Sequence, residues 1–134
     1  MKCFDATISI SMDDLADLLC SGMEGGIGYW AEIVDYREPS DLNLKEYFSK
    51  SWRTDRVFKH IHYPLLPGGV VMIRDAEGDD KEIYRLDFEA VQRGVKVMAN
   101  NWPRHFADFM GGNSDATTGD VFIQCALFGD IVYG

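Results

Sequence analysis

From Asp115 to Gly134 the chain reads DATTGDVFIQCALFGDIVYG, a nearly all-apolar stretch crossed by a narrow polar stripe. Thr117, Asp120 and Gln124 recur three or four residues apart, so on a helix they share one face. Val121, Ile123, Ala126, Leu127 and Phe128 fill the rest, and a helix apolar around most of its circumference is a buried one. Burying an unpaired polar group costs roughly 1–3 kcal/mol, so the stripe must find partners or a ligand. Asp115 or Thr117 is placed to cap the helix N-terminus. Gly129 ends it and leaves a short extended tail. The segment predicts a core helix that carries on one side either a polar pocket or a buried network in which Gln124 bonds backbone.

The remaining elements follow from periodicity. Cys3 to Ser11 alternates, with Phe4, Ala6, Ile8 and Ile10 set against Asp5, Thr7 and Ser9, which predicts a strand with one buried face. Ser11 with Asp14 three residues on gives a capping-box-like start to a helix whose apolar face is Met12, Leu15, Ala16, Leu18 and Leu19. Gly22 is expected to stop it. Residues 24–28 read as a turn, Tyr29 to Tyr36 as a second strand, and Pro39 to Asp41 as a break. Leu44, Tyr47, Phe48 and Trp52 fit a short amphipathic helix, and the chain from there to Pro67 looks irregular. Gly69 to Asp75 and Glu82 to Leu86 predict a hairpin. Asp87 caps a helix through Phe88, Val91, Val95 and Met98, in which Gly94 permits close packing. Trp102 to Met110 forms another short helix behind Pro103. The expected fold is α+β: one compact domain over residues 1–134, with an antiparallel sheet of about four strands and three to five helices packed mainly on one face.

Composition narrows the function classes. Hydrophobic residues make up 46% and charged residues 26% of 134, an ordinary globular balance. No apolar run reaches the ~18–20 residues of a membrane helix, and the N-terminus does not read as a signal peptide, so a cytoplasmic location and no membrane partner are expected. The three cysteines, Cys3, Cys20 and Cys125, are widely spaced in apolar contexts and read as buried free thiols. The net charge of −9 is uneven. Residues 1–41 hold nine acids against two bases, residues 42–64 five bases against two acids, and the rest eleven acids against six bases. No direct nucleic-acid binding is expected from such a chain.

Three constellations could carry chemistry. The polar stripe is the first. The second is Gly25-Gly26-Ile27-Gly28-Tyr29-Trp30, where glycines let the main chain approach a ligand and the aromatics offer faces for stacking. It runs from helix into strand, the reverse of a phosphate loop, so a helix C-cap with core aromatics is the competing reading. The third is the basic segment with Lys50, Trp52, Arg53, Arg56, Lys59, His60, His62 and Tyr63, in which interleaved bases and aromatics can grip a nucleotide or form a solvated face. His60 and His62 lack a third ligand at a recognisable spacing, so neither a metal nor a cofactor is expected. No nucleophile motif or enforced carboxylate pair is present, and the expectation is a protein without enzymatic activity.

The Glu24-Gly25-Gly26-Ile27-Gly28-Tyr29-Trp30 segment, the Asp87 helix with Gly94, and the ending Asp115-Ala116-Thr117-Thr118, Asp120, Gln124 and Phe128 to Gly134 together resemble a group of small proteins of tailed bacteriophages and prophages. The resemblance covers most of the chain, least of all residues 37–68. It implies a phage accessory protein acting in the bacterial cytoplasm and carries over no catalytic residue. On this basis the leading expectation is a binder that counters an anti-phage defence. One mechanism sequesters a small nucleotide signal through Gly26, Tyr29, Trp30, Trp52, Arg53, Arg56, Thr117, Asp120 and Gln124. The other blocks a host defence protein through the acidic surface of Asp13, Asp14, Asp17 and Glu24. A homo-oligomer built by the tail from Ile131 to Gly134, and a small hydrolase or transferase, are the alternatives.

Overall fold

The computed structural model describes residues 2–40, 47–48 and 60–134. Ser11 opens the first helix, α1 (Met12–Ser21), its hydroxyl accepting from the Asp14 amide at 3.1 Å. Leu15, Ala16, Leu18 and Leu19 form its buried face. Gly22 caps the end of α1 as expected, and the backbone goes on as one wide π-helical turn, Gly22–Gly26, in place of an immediate loop. Strand β1 (Ala31–Arg37) follows, then a 3-10 turn over His60–Leu65 where the sequence looked irregular. Strands β2 (Val70–Asp75) and β3 (Ile83–Leu86) make the hairpin. Helices α2 (Phe88–Asn101), α3 (Pro103–Met110) and α4 (Ala116–Phe128) complete the fold.

The domain is α+β, with four α-helices and a three-stranded antiparallel sheet in the order β1-β2-β3 among the described residues. The expected fourth strand is absent: residues 2–10 form no strand, and Phe4 is 97% exposed. Period-two alternation reports which side of a strand would be apolar, not whether a neighbour is there to take its backbone hydrogen bonds. Cys3 on this segment is accordingly exposed rather than buried, whereas Cys125 is buried and Cys20 intermediate; all three are free thiols. The expected helix around Leu44 and Trp52 lies outside the described residues, apart from Tyr47 and Phe48.

In the sheet, Ile33 faces Ile73, and Val71 faces Leu86, on the side toward the helices. The register slips at Val34, a bulge beyond which Asp35, Tyr36 and Arg37 go on pairing with Met72, Val71 and Val70. On the opposite face Arg74 donates to Glu32 across the strands at 2.7 Å.

Helix α4 is the centre of the molecule, packing on α1, the π turn, α2, α3 and β3. Residues 118–126 are all buried, as its apolar circumference requires. Two small-residue contacts bring its neighbours unusually close. A Cβ on Gly94 would lie 2.8 Å from the Ala126 Cβ, which explains the glycine inside α2. A Cβ on Gly22 would lie 2.7 Å from the Gly119 carbonyl oxygen, so α1 and α4 meet backbone to backbone. Arg93 of α2 reaches over α4, its Nε and Nη2 donating to the Ala126 carbonyl at 3.0 and 2.8 Å. Gly129 closes α4 in the left-handed region at φ 74°, its amide donating to Cys125, and turns the tail back toward the body.

Candidate functional site

The chain before β1 and the N-terminal half of α4 are brought together by the glycine-smooth contact just described. Asp115 caps α4 by accepting from the Thr118 amide at 2.9 Å, while its own amide donates to the Thr118 hydroxyl. The Thr118 amide and hydroxyl, both donating to Oδ1, hold the Asp115 carboxyl below its usual range. One turn further on, Asp120 is 7% exposed. Its Oδ2 accepts from the Tyr29 hydroxyl at 2.6 Å, and its Oδ1 accepts from Trp30 Nε1 at 2.8 Å and Gln124 Nε2 at 2.9 Å.

Gln124, one turn beyond, is fully buried. Its Nε2 donates its second hydrogen to the Tyr133 carbonyl at 3.1 Å, and its Oε1 accepts from the amides of Val132 and Tyr133 at 2.7 and 2.8 Å. A primary amide offers two donors and two acceptor lone pairs, and here all four are occupied. The side chain thus replaces the strand that an extended tail would otherwise need. Tyr133 then lays its ring on Trp30, centroids 5.4 Å apart and planes 19° from parallel. Its hydroxyl donates to Asp75 Oδ2 at 2.7 Å, while Asp75 Oδ1 accepts the amides of Glu77 and Gly78 in the hairpin loop. One chain of contacts therefore runs from the Tyr29 hydroxyl through Asp120, Gln124 and Tyr133 to Asp75.

Above this network lies a cleft of about 330 Å³. Its walls are Gly25 and Gly26 of the π turn, Tyr29, Ala116, Thr117, Asp120 and Val121, with His105 of α3 and Ile131, Tyr133 and Gly134 of the tail. Of the residues expected at a ligand site, Gly26, Tyr29, Thr117 and Asp120 line it. Thr117 and Tyr29 are exposed at the rim, and Tyr29 shows 52% of its surface. Trp30 and Gln124 do not face it, which corrects their expected role: both are fully buried beneath, with their polar atoms committed to Asp120 and the tail. Trp52, Arg53 and Arg56 lie outside the described residues. The acidic surface is also smaller than expected. Asp14 and Glu24 are exposed and Asp17 is half-buried, but Asp13 is buried at 6% exposure because it turns to the inner side of α1.

Sequence reasoning missed His105, Ile131 and the Tyr133–Asp75 bond. The two ends of that bond are 58 positions apart, and no local pattern links them. The tail also differs from the free strand expected for oligomer formation, since Gln124 already engages the Val132 and Tyr133 amides and the Tyr133 carbonyl.

Burial and the hydrogen bond to Asp120 push the Tyr29 phenol up to about 12 from an ordinary 10.0. The bond to Asp75, followed by burial, pushes Tyr133 up to about 12. Asp75 is pushed up by its own burial, but the Tyr133 hydroxyl and the Gly78 and Glu77 amides outweigh this and hold it low. A phenol whose pKa is raised by folding stabilises the fold fully below pH 10 and loses that contribution as the pH rises through 12. Unfolding midpoints should therefore fall between pH 10 and 12, and this fall should be much smaller in a Tyr29→Phe, Tyr133→Phe double variant. A phenolate absorbance titration on the native protein checks the assignment: the double variant should lose two steps from the region near 12.

Among the described residues no group of three or more histidine, cysteine, aspartate or glutamate side chains is arranged to hold a metal ion. No helix among them is long and apolar enough to cross a membrane. Comparison with protein-family models, with curated proteins and with solved structures finds no match to this chain.

Proposed function

We propose that this chain is a binding protein without enzymatic activity, a phage accessory factor that holds a small nucleotide signal in the cleft between the π turn, α4 and the tail. The observation that supports this reading most is the state of Asp120. It is the carboxylate in the cleft wall, and it already accepts three hydrogen bonds from protein donors. Of a carboxylate's roughly four acceptor positions, three are thus engaged, leaving at most one on Oδ2 for the substrate proton that a general base would take. Asp120 instead holds the wall in shape, and a prebuilt wall favours binding by removing ordering cost.

The cleft volume of about 330 Å³ falls within the range of small-ligand sites. Tyr29 offers an exposed ring for stacking on a base. The Thr117 hydroxyl at the rim offers a donor to a phosphate, and Gly26 lies in the wall with no side chain to obstruct it.

Direct blockade of a defence protein is the second reading. One observation favours it: the depression beside the cleft, lined by Asp17, Cys20, Ser21, Glu24, Gly25 and Ala116, shares Gly25 and Ala116 with the cleft wall. An acidic rim continuous with the cleft suits a basic protein surface.

The two readings separate in one preparation. Protein purified from a host with its nucleotide-signalling defence active should release a nucleotide on denaturation, identified by mass spectrometry. Re-addition of that nucleotide at a hundredfold excess over its Kd should stabilise the protein by about 2.7 kcal/mol, and Tyr29→Ala with Thr117→Glu should abolish the gain. No released nucleotide and no stabilisation by a nucleotide panel would sink the sequestration reading. Recovery of one host protein, lost on Asp14→Lys with Glu24→Lys, would establish blockade instead.

A further inference from the structure

The N-terminal arm contradicts its own sequence pattern in this structure. Phe4, Ala6, Ile8 and Ile10 lie on one side of an alternating segment, yet residues 2–10 form no helix or strand. Phe4 is 97% and Ile8 55% exposed. Leaving a side chain of this size in water forgoes roughly 1.5–3 kcal/mol of burial, so an apolar stripe of this length indicates a surface that meets something.

An apolar hollow lies at the root of the arm. Met12, Tyr47, Leu65, Pro67 and Phe88 enclose about 340 Å³, and the surface they present is wholly apolar. Met12 is the first residue after the arm, and Phe88 stands 40% exposed at the start of α2. In this structure the arm does not fill the hollow of its own molecule, since Phe4 and Ile8 stand exposed. Phe4 is eight residues from Met12, about 26 Å away in an extended chain, so an extended arm reaches beyond its own hollow toward that of a second copy. Because arm and hollow adjoin on one chain, two copies related by a two-fold axis can each offer an arm to the other's hollow, and the pairing closes on itself.

We propose that residues 2–11 are an exchange arm: two copies of this chain pair by each seating Phe4 and Ile8 in the other's hollow formed by Met12, Tyr47, Leu65, Pro67 and Phe88. The inference is independent of any ligand in the cleft. The chain's charge of −9 opposes the pairing by repulsion between copies, while the contact itself is apolar. Added salt screens the repulsion and leaves the contact intact, so pairing strengthens with ionic strength.

Light scattering after size exclusion, over a dilution series and at low and high salt, tests this on the full chain. The expected mass is twice the 15.2 kDa of one chain, more persistent on dilution at high salt. Phe4→Asp with Ile8→Asp should give single-chain mass with unchanged circular dichroism and melting, because both side chains are exposed. Phe88→Asp on the rim of the hollow should do the same. Mixing the arm variant with the rim variant restores one intact arm-and-hollow pair and should regenerate some paired species. A full chain that stays monomeric throughout, or a pair that survives the arm substitutions, would overturn the proposal. A pair lost in the arm variant but kept in the rim variant would overturn the seat.

Discussion

Gly119→Ala is expected to destabilise the protein by about 3 kcal/mol, the upper end of the range for an overpacked core. The added methyl would strike the Gly22 backbone nitrogen and come within 2.6 Å of the Gly22 Cα and 2.9 Å of the Ser21 carbonyl carbon. All three obstacles are backbone. No flexible side-chain end can swing aside, so α1 and the π turn must move away from α4 as a unit. In a domain of this size each kcal/mol shifts the thermal midpoint by roughly 3–5 °C, so a fall of about 10 °C is expected. Gly28→Ala is the control. A Cβ there meets nothing within 4 Å and the backbone is not left-handed, so the same chemical change should leave the midpoint unchanged or slightly raised. Equal midpoints for the two variants would show that the helices do not approach this closely in solution. Because Gly25 and Gly26 line the cleft from the same π turn, Gly119→Ala should also weaken whatever binds there.

Asp120→Ala should cost a similar amount, about 3 kcal/mol, by a different route. The substitution strands the Trp30 indole N–H and one Gln124 amide hydrogen where water cannot reach them, and each orphaned buried donor costs about 1–3 kcal/mol. Tyr29 is half exposed and can turn its hydroxyl to solvent, so it adds little. Asp120→Asn should be much milder, near 1 kcal/mol, losing chiefly the strength that charge lends to these bonds. Its carbonyl can still accept from Trp30 and Gln124, and its amide can donate to the Tyr29 oxygen. Denaturant unfolding of the two variants supplies the comparison. If they proved equally unstable, the loss would stem from the missing charge and not from orphaned donors. In both variants the Tyr29 phenol should titrate closer to 10, since the carboxylate that holds its proton has gone.

Much of the architecture was legible because it depends on local chemistry. Ser11, Asp87 and Asp115 have side-chain oxygens one turn before an apolar face, and each caps a helix in the structure. The hairpin and the left-handed Gly129 were readable for the same reason, as turn chemistry acts over a few residues. The arm was misread because alternation describes one strand and pairing requires two. The stop at Gly22 was legible, but the π turn after it and the close contact it makes were not, because glycine serves helix ends and close helix contacts alike and only the position of Gly119 distinguishes them.

The candidate site divides along the same line. That Asp120 and Gln124 share a face and turn inward is a property of their spacing on an apolar helix, and the chain alone determined it. Which of them meets a cleft, which latches the tail, and that Tyr133 reaches Asp75 depend on contacts between segments up to 91 positions apart. Such contacts are selected by the packing of the whole core, where shape and every neighbour's hydrogen-bond demand must be satisfied together. The sequence set which groups must be paired; only the tertiary structure decided with whom.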